Sequence, residues 1–207
     1  MKHLFKSIFL VMALTLVACD SQTNDSEANK PINSDVDPKE QAELERVALS
    51  FHKWYMAALD EIPNSTYSYN IVADKSGKCR VDFYDYFEAL RKLGTISEKF
   101  LASEKKRVEP CAEYLKTIDY SEYSSADAYV YQDQCPDMYH WYWIRSQEPF
   151  MGVELIKLTR KGAGWEAKLV FYDDYGQGKL VRHGHNPLVT IEKEGEHWKI
   201  TAIDWED

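Results

Sequence analysis

Between residues 44 and 58 the apolar positions Leu44, Val47, Ala48, Phe51, Trp54, Tyr55 and Ala58 recur at intervals of three and four, the spacing that gathers side chains on one face of a helix. Asp37 stands ahead of the run as a cap, and Pro38 occupies the first helical position, where a missing N–H costs nothing. Glu40 follows three residues after the cap, as in a capping box. Pro63 forbids continuation. A second helical pattern covers about residues 81–93, with Phe83, Phe87, Leu90 and Leu93 on one side, and Gly94 stops it. A third starts near Ser97, carries Phe100, Leu101 and Val108, and is expected to kink or restart at Pro110 before Leu115.

Beyond residue 125 the period shortens. Residues 139–145, 152–160, 165–173, 187–193 and 197–204 read as short strands, with Lys161-Gly162-Ala163-Gly164 and Glu194-Gly195 as hairpin connections. Helices first and an antiparallel sheet afterwards predict an α+β domain in which three N-terminal helices cover one face of a curved sheet.

The amino-terminal pattern is of another kind. Lys2 and Lys6 precede an apolar run from about residue 7 to 18 that is too short to span a bilayer, since a span needs about 20 residues. A positive start, a short apolar core and small residues are the plan of a secretory signal peptide. The order Leu16-Val17-Ala18-Cys19 resembles the bacterial lipobox. That resemblance implies cleavage before Cys19 and acylation of its thiol and new amino group, several acyl chains together giving stable anchorage. Asp20 resembles the signal that retains such proteins in the inner membrane of enteric-type bacteria, although other phyla read this position differently. Residues 19–38 follow as a polar tether with too few apolar groups to recover the entropy of ordering. As a coil they reach about 25 Å. The expected organisation is a signal peptide at 1–18, a lipidated Cys19 and tether at 19–38, and one globular domain at 39–207. The expected location is the cell envelope, with the domain in the periplasm and the choice between inner and outer membrane open.

The chain carries a formal net charge of −9, and loss of the two leader lysines makes it more negative. Such a body repels nucleic acid and anionic lipid surfaces. Contact with the membrane is therefore expected through the lipid on Cys19.

Four stretches resemble a known family: Phe51-His52-Lys53-Trp54-Tyr55, Thr95-Ile96-Ser97-Glu98-Lys99-Phe100-Leu101, Glu148-Pro149-Phe150, and Trp198-Lys199-Ile200 with Ile203. They are similar to the bacterial lipoproteins of domain-of-unknown-function family 3828, over about residues 44–205. The resemblance implies a nuclear transport factor 2-like cone fold and an envelope location, and it implies no activity because the matching residues are packing residues.

Relatives of the cone fold place acids and histidines in the cup of the sheet for acid/base work. Asp173, Asp174, His183 and His185 are the nearest equivalents here, and His-Gly-His spacing puts both rings on one side of an extended chain. The same four residues resemble a metal site. The plainer reading is a solvated hairpin around Tyr175-Gly176-Gln177-Gly178-Lys179. The densest aromatic cluster is Tyr139-His140-Trp141-Tyr142-Trp143-Ile144. In a strand Tyr139, Trp141 and Trp143 share one face, so they are the candidates for lining a cup.

Cys79, Cys111 and Cys135 remain after Cys19, an odd number for an oxidising compartment. If the second and third helices form a hairpin turning near Thr95, Cys79 and Cys111 lie equally far from the turn. A Cys79–Cys111 bridge worth about 3 kcal/mol follows, with Cys135 left over. Cys111–Cys135 is the second choice, because Pro110 weakens that register. Nothing places a histidine to activate a thiol.

Two function classes survive. The first is a non-catalytic envelope module that holds a protein partner, accessory to an envelope complex or of immunity type, or a small ligand. The second is a cone-fold enzyme or carrier for a hydrophobic small molecule in an aromatic-lined cup. The absence of a recognisable acid/base set favours binding, and no cofactor is expected.

Overall fold

The computed structural model describes residues 36–61, 66–136, 141–174 and 180–206. Helix α1 runs from Pro38 to Asp60, with the Asp37 carboxylate accepting from the amides of Lys39 at 2.9 Å and Glu40 at 3.3 Å. Two of the amides that a helix start leaves unpaired are thus satisfied. Its buried face carries Leu44, Val47, Ala48, Phe51, Tyr55 and Leu59, the face expected from the spacing.

The segment after α1 departs from expectation. Strands β1 (Asn70–Ala73) and β2 (Cys79–Asp82) pair antiparallel, and Val81 belongs to β2 rather than to a helix. The turn explains this: the Asp74 carboxylate accepts from the Ser76 and Lys78 amides at 2.7 and 2.9 Å, and Gly77 adopts φ 83°. Left-handed backbone of this kind is open to glycine at no steric cost. Helix α2 (Tyr84–Lys92) starts only after this hairpin.

Helix α3 (Glu98–Leu115) continues through Pro110 without a second start. The Ser97 hydroxyl caps it, accepting from the Phe100 amide at 3.0 Å and donating to the Ile200 carbonyl at 2.8 Å. A short α4 (Tyr120–Ser125) and a 3-10 turn at Ala128–Tyr131 come before the main sheet. The helices are therefore interleaved with a hairpin instead of forming one N-terminal group.

The main sheet holds β3 (Gly152–Lys161), β4 (Gly164–Asp174), β5 (Leu180–Arg182), β6 (Pro187–Glu194) and β7 (His197–Trp205). The order is β3-β4-β6-β7, β5 pairs with the far end of β4, and every pairing is antiparallel. Both expected hairpin turns form, with Gly162 at φ 60° and Gly195 at φ 63°. Alternate residues Trp165, Ala167, Leu169 and Phe171 of β4 are buried beneath α1, as period-two patterning requires. Register irregularities between Leu155 and Lys157 and at Thr190/Ile191 shift the parity. Leu158 and Ile200 thereby point into the core alongside Val153 and Ile203. At the β7 edge the Ile200 amide donates to the Thr95 carbonyl at 2.7 Å, and the Ser97 amide donates to the Ile200 carbonyl at 3.1 Å. Residues 95–97 cover an edge that would otherwise offer unpaired groups.

The disulfide corrects the expectation. Cys111 is bonded to Cys135, with the Cα atoms 4.9 Å apart, and Cys79 is a free, buried thiol. The reason is the hairpin: Cys79 opens β2 instead of lying on a helix antiparallel to α3, so equal distance from Thr95 has no meaning in space. All three cysteines nevertheless meet in one small cluster with Leu115 and Tyr131. Burial pushes the Cys79 thiol up, and the nearby Asp119 and Glu122 charges add to that. It is held as the unreactive thiol.

Candidate functional site

Two places were candidates, the helix-covered face of the sheet and the end of the sheet near Asp173 and His183. On the first, α1 presents Phe51 and His52 to the interior. The Phe51 ring lies 5.5 Å from Phe100 and 5.3 Å from Trp143, and His52 lies 5.4 Å from Phe171. These five rings pack together in the helix-covered core, each 5% exposed or less. His52 is fully buried, and neither ring nitrogen makes a hydrogen bond among the described residues. Burial holds its pKa down to about 3, against an opposing contribution from the Trp143 backbone. This is a neutral packing residue, which water and substrate do not reach.

Residues 141–144 of the aromatic cluster are not a strand. Residues 141–146 form a tight turn in which the Ile144 and Arg145 amides both donate to the Trp141 carbonyl, at 3.1 and 2.9 Å. Arg145 takes φ 49° there, an uncommon conformation for a residue with a side chain. Trp141 and Trp143 therefore do not share a strand face: Trp143 is 5% exposed inside the core, whereas Trp141 packs half-buried at its margin. Tyr139 lies outside the described residues. The period-two reading failed because six consecutive bulky residues carry no period.

The second place is a cleft of about 640 Å³ between residues 145–151 and the β4–β5 end, lined by Asp173, Asp174, His183 and His185 together with Arg145 and Phe150. All four titratable residues singled out from the sequence thus come together. His183 Nε2 lies 2.8 Å from one Asp173 oxygen, and the other oxygen accepts from the Met151 amide at 2.8 Å. Phe150 lies between two rings, stacked on Phe171 at 4.8 Å and tilted against His183 at 4.5 Å. The Arg145 guanidinium lies 4.5 Å from the Trp205 ring centroid, within cation–π range.

Chemically, a carboxylate that orients an imidazole can serve an acid/base step, but a catalytic set also needs a group for it to act upon or a charge stabiliser aimed at the reacting atom. The Ser146 hydroxyl, which lines the cleft, accepts from the Glu148 amide at 3.1 Å. Among the described residues no group of three or more His, Cys, Asp and Glu side chains is arranged to hold a metal ion. The pair is better described by what it joins, since Asp173 ties the start of β3 to the residue that follows β5. Phe150 stood out in the sequence only within the Glu148-Pro149-Phe150 stretch and Arg145 only as the end of an expected strand, because their places in the cleft depend on a turn that has no local signature.

No protein-family model matches the chain, and neither a curated protein nor a solved structure is detectably similar to it.

Proposed function

We propose that this chain is a lipid-anchored lipoprotein of the bacterial cell envelope whose folded domain, residues 39–207, is a non-catalytic binding module in the periplasm. The observation that carries the non-catalytic part is the interior packed by Phe51, His52, Phe100, Trp143 and Phe171. An enzyme or carrier built around an aromatic cup needs that space open. A likeness to the family 3828 lipoproteins, and to the cone fold, agrees with α1 and α3 packed on one face of an antiparallel sheet. The anchor rests on the Lys2 and Lys6 leader and Leu16-Val17-Ala18-Cys19. Among the described residues no helix is long and apolar enough to cross a membrane.

The test is fractionation of cells producing the wild type and Cys19→Ala. The wild type is expected in membranes, releasable only by detergent, with a mature mass lacking residues 1–18 and carrying acyl chains. The variant is expected uncleaved or soluble. Normal processing and unchanged membrane attachment of the variant would end the lipoprotein reading. Crosslinked membranes are expected to yield an envelope protein with the wild type.

The His183–Asp173 contact favours a second reading, an acid/base enzyme working in the end cleft. It predicts a turnover lost in His183→Ala and in Asp173→Ala and kept in Phe51→Leu, which touches only the core.

A further inference from the structure

A second concavity, also of about 640 Å³, lies far from the His183 cleft in sequence, between α3 and the segment from β2 into α2. Its two walls differ in chemistry. On the β2–α2 side Phe83 and Phe87 pack ring to ring at 4.9 Å, with Val81 beside them, all three half-buried. Tyr84 stands 71% exposed at the rim. On the α3 side the small residues Ala102 and Ala112 leave the space open, and Lys105, Lys106 and Lys116 share their stripe of the helix.

The residues that line this groove are richer in cations than the chain as a whole. The chain is −9 overall, yet the lining holds five cations and three carboxylates. Three of the cations already have partners: Arg80 with Asp82 at 3.2 Å, Arg91 with Glu98 at 2.8 Å and Glu88 at 3.1 Å, and Lys116 with Glu113 at 2.5 Å. Among the described residues, neither Lys105 nor Lys106 lies within ion-pair distance of a carboxylate. Lys105 and Lys106 outnumber Glu109, the lining carboxylate that has no ion pair among the described residues, and this excess of ammonium groups beside an aromatic floor matches a ligand with an apolar body and an anionic head. The volume falls in the range of small-molecule sites, about 300–1,000 Å³. Buried apolar area would supply most of the affinity, and the lysines would select the charge.

We infer that the groove between α3 and the β2–α2 segment is a binding site for a small amphipathic organic anion, a molecule with an aromatic or alkyl body and one carboxylate, sulfonate or phosphate, held by Phe83 and Phe87 below and Lys105 and Lys106 above. The inference is independent of the lipid anchor, because it uses only the folded domain.

The probes are 1-anilinonaphthalene-8-sulfonate and its uncharged counterpart N-phenyl-1-naphthylamine, titrated into the full chain with amide chemical shifts as the readout. Saturable shifts are expected at residues 81–87 and 102–116, with the uncharged probe bound about tenfold more weakly. Lys105→Glu/Lys106→Glu, on exposed positions, is expected to weaken the sulfonate about tenfold or more and leave the neutral probe unchanged. Ala112→Leu, which fills the space, should weaken both. Shifts centred on the His183 cleft would overturn the assignment, as would equal affinity for the two probes or unchanged binding by the double lysine variant. Displacement of the sulfonate by an acidic peptide at lower concentration than by laurate would give the groove to a protein segment instead, and would equally overturn the small-anion assignment. None of these outcomes bears on the Cys19 fractionation, so either reading can fail without the other.

Discussion

The described residues form two cores built on different principles. The larger lies between α1, α2, the first half of α3 and the main sheet, with Leu44, Phe51, Leu90, Phe100, Leu169 and Ile200 fully or almost fully buried and no covalent link across it. The smaller gathers the β1–β2 hairpin, the end of α3, α4 and the 3-10 turn around only Cys79, Cys111, Leu115, Tyr131 and Cys135. Two of those five buried residues are bonded to each other. A core that buries enough apolar surface stands on area alone, whereas a small satellite loses too much entropy on ordering for its area to offset. There a disulfide acts on the unfolded chain and removes part of that entropy. Helix α3 serves both cores, contributing Phe100 and Leu101 to the first and Cys111 and Leu115 to the second.

Between them sits a buried ion pair. Glu104 is 2% exposed and accepts from Arg107 at 2.7 Å and from the Tyr86 hydroxyl at 3.3 Å. The Arg107 guanidinium lies over the Tyr142 ring at 3.8 Å. Burial first, and then the Glu104 charge, push the Tyr86 hydroxyl well above its ordinary range, so it stays a donor. Such a pair contributes little net stability against an apolar replacement, but losing one partner leaves a costly buried charge.

The sharpest way to break the contrast is to truncate the larger core. Phe51→Ala removes a ring in contact with Tyr55, Phe100 and Trp143, and is expected to cost about 3–5 kcal/mol in denaturant unfolding. Protection from hydrogen exchange should then fall throughout the domain. A loss confined to α1 would show that the large core is not one cooperative unit.

The bridge comes next. Replacing both Cys111 and Cys135 by Ala opens a loop of separation 24, worth about 3 kcal/mol in the chain-entropy model. The expected exchange pattern is local, with amides of β2 and the end of α3 losing protection while those around Phe51 and Leu169 keep theirs. Uniform loss would mean that the satellite and the main core fold together and that the distinction drawn above is wrong.

The smallest effect is acid sensitivity, and it belongs to the large core. The folded pKa of His52 is about 3, below the ordinary value of 6.5, so between those two pH values the unfolded chain binds the extra proton. Stability from this group is complete above about pH 6.5 and is lost as pH falls towards 3. At pH 5 the loss is about 2 kcal/mol. His52→Leu should abolish that slope between pH 6.5 and 5 while leaving the satellite's exchange unchanged. A slope retained in the variant would assign the acid response to other groups.

Legibility followed the range of the interactions. The α1 face, both tight hairpins and the alternation on β4 depend on contacts a few residues apart, and each could be read from spacing and turn chemistry. The hairpin of β1 and β2 had a local signal too, in Asp74-Lys75-Ser76-Gly77, but Phe83, Phe87 and Leu90 drew Val81 into a helical pattern. The Asp173 and His183 pairing was half legible, since the residue types stood out while the clamp by Phe150 and Met151 did not.

Spacing along the chain was sufficient for the α+β class, the end points of α1 and the faces that α1 and α3 bury, because backbone hydrogen bonding and side-chain period act between near neighbours. Which cysteine Cys111 meets, whether Trp143 faces a cup or fills a core, and what stands opposite Lys105 and Lys106 depend on segments brought together from distant parts of the chain. Those partners are selected by the packing of whole elements, and a list of residues in order carries no record of the distances that packing creates.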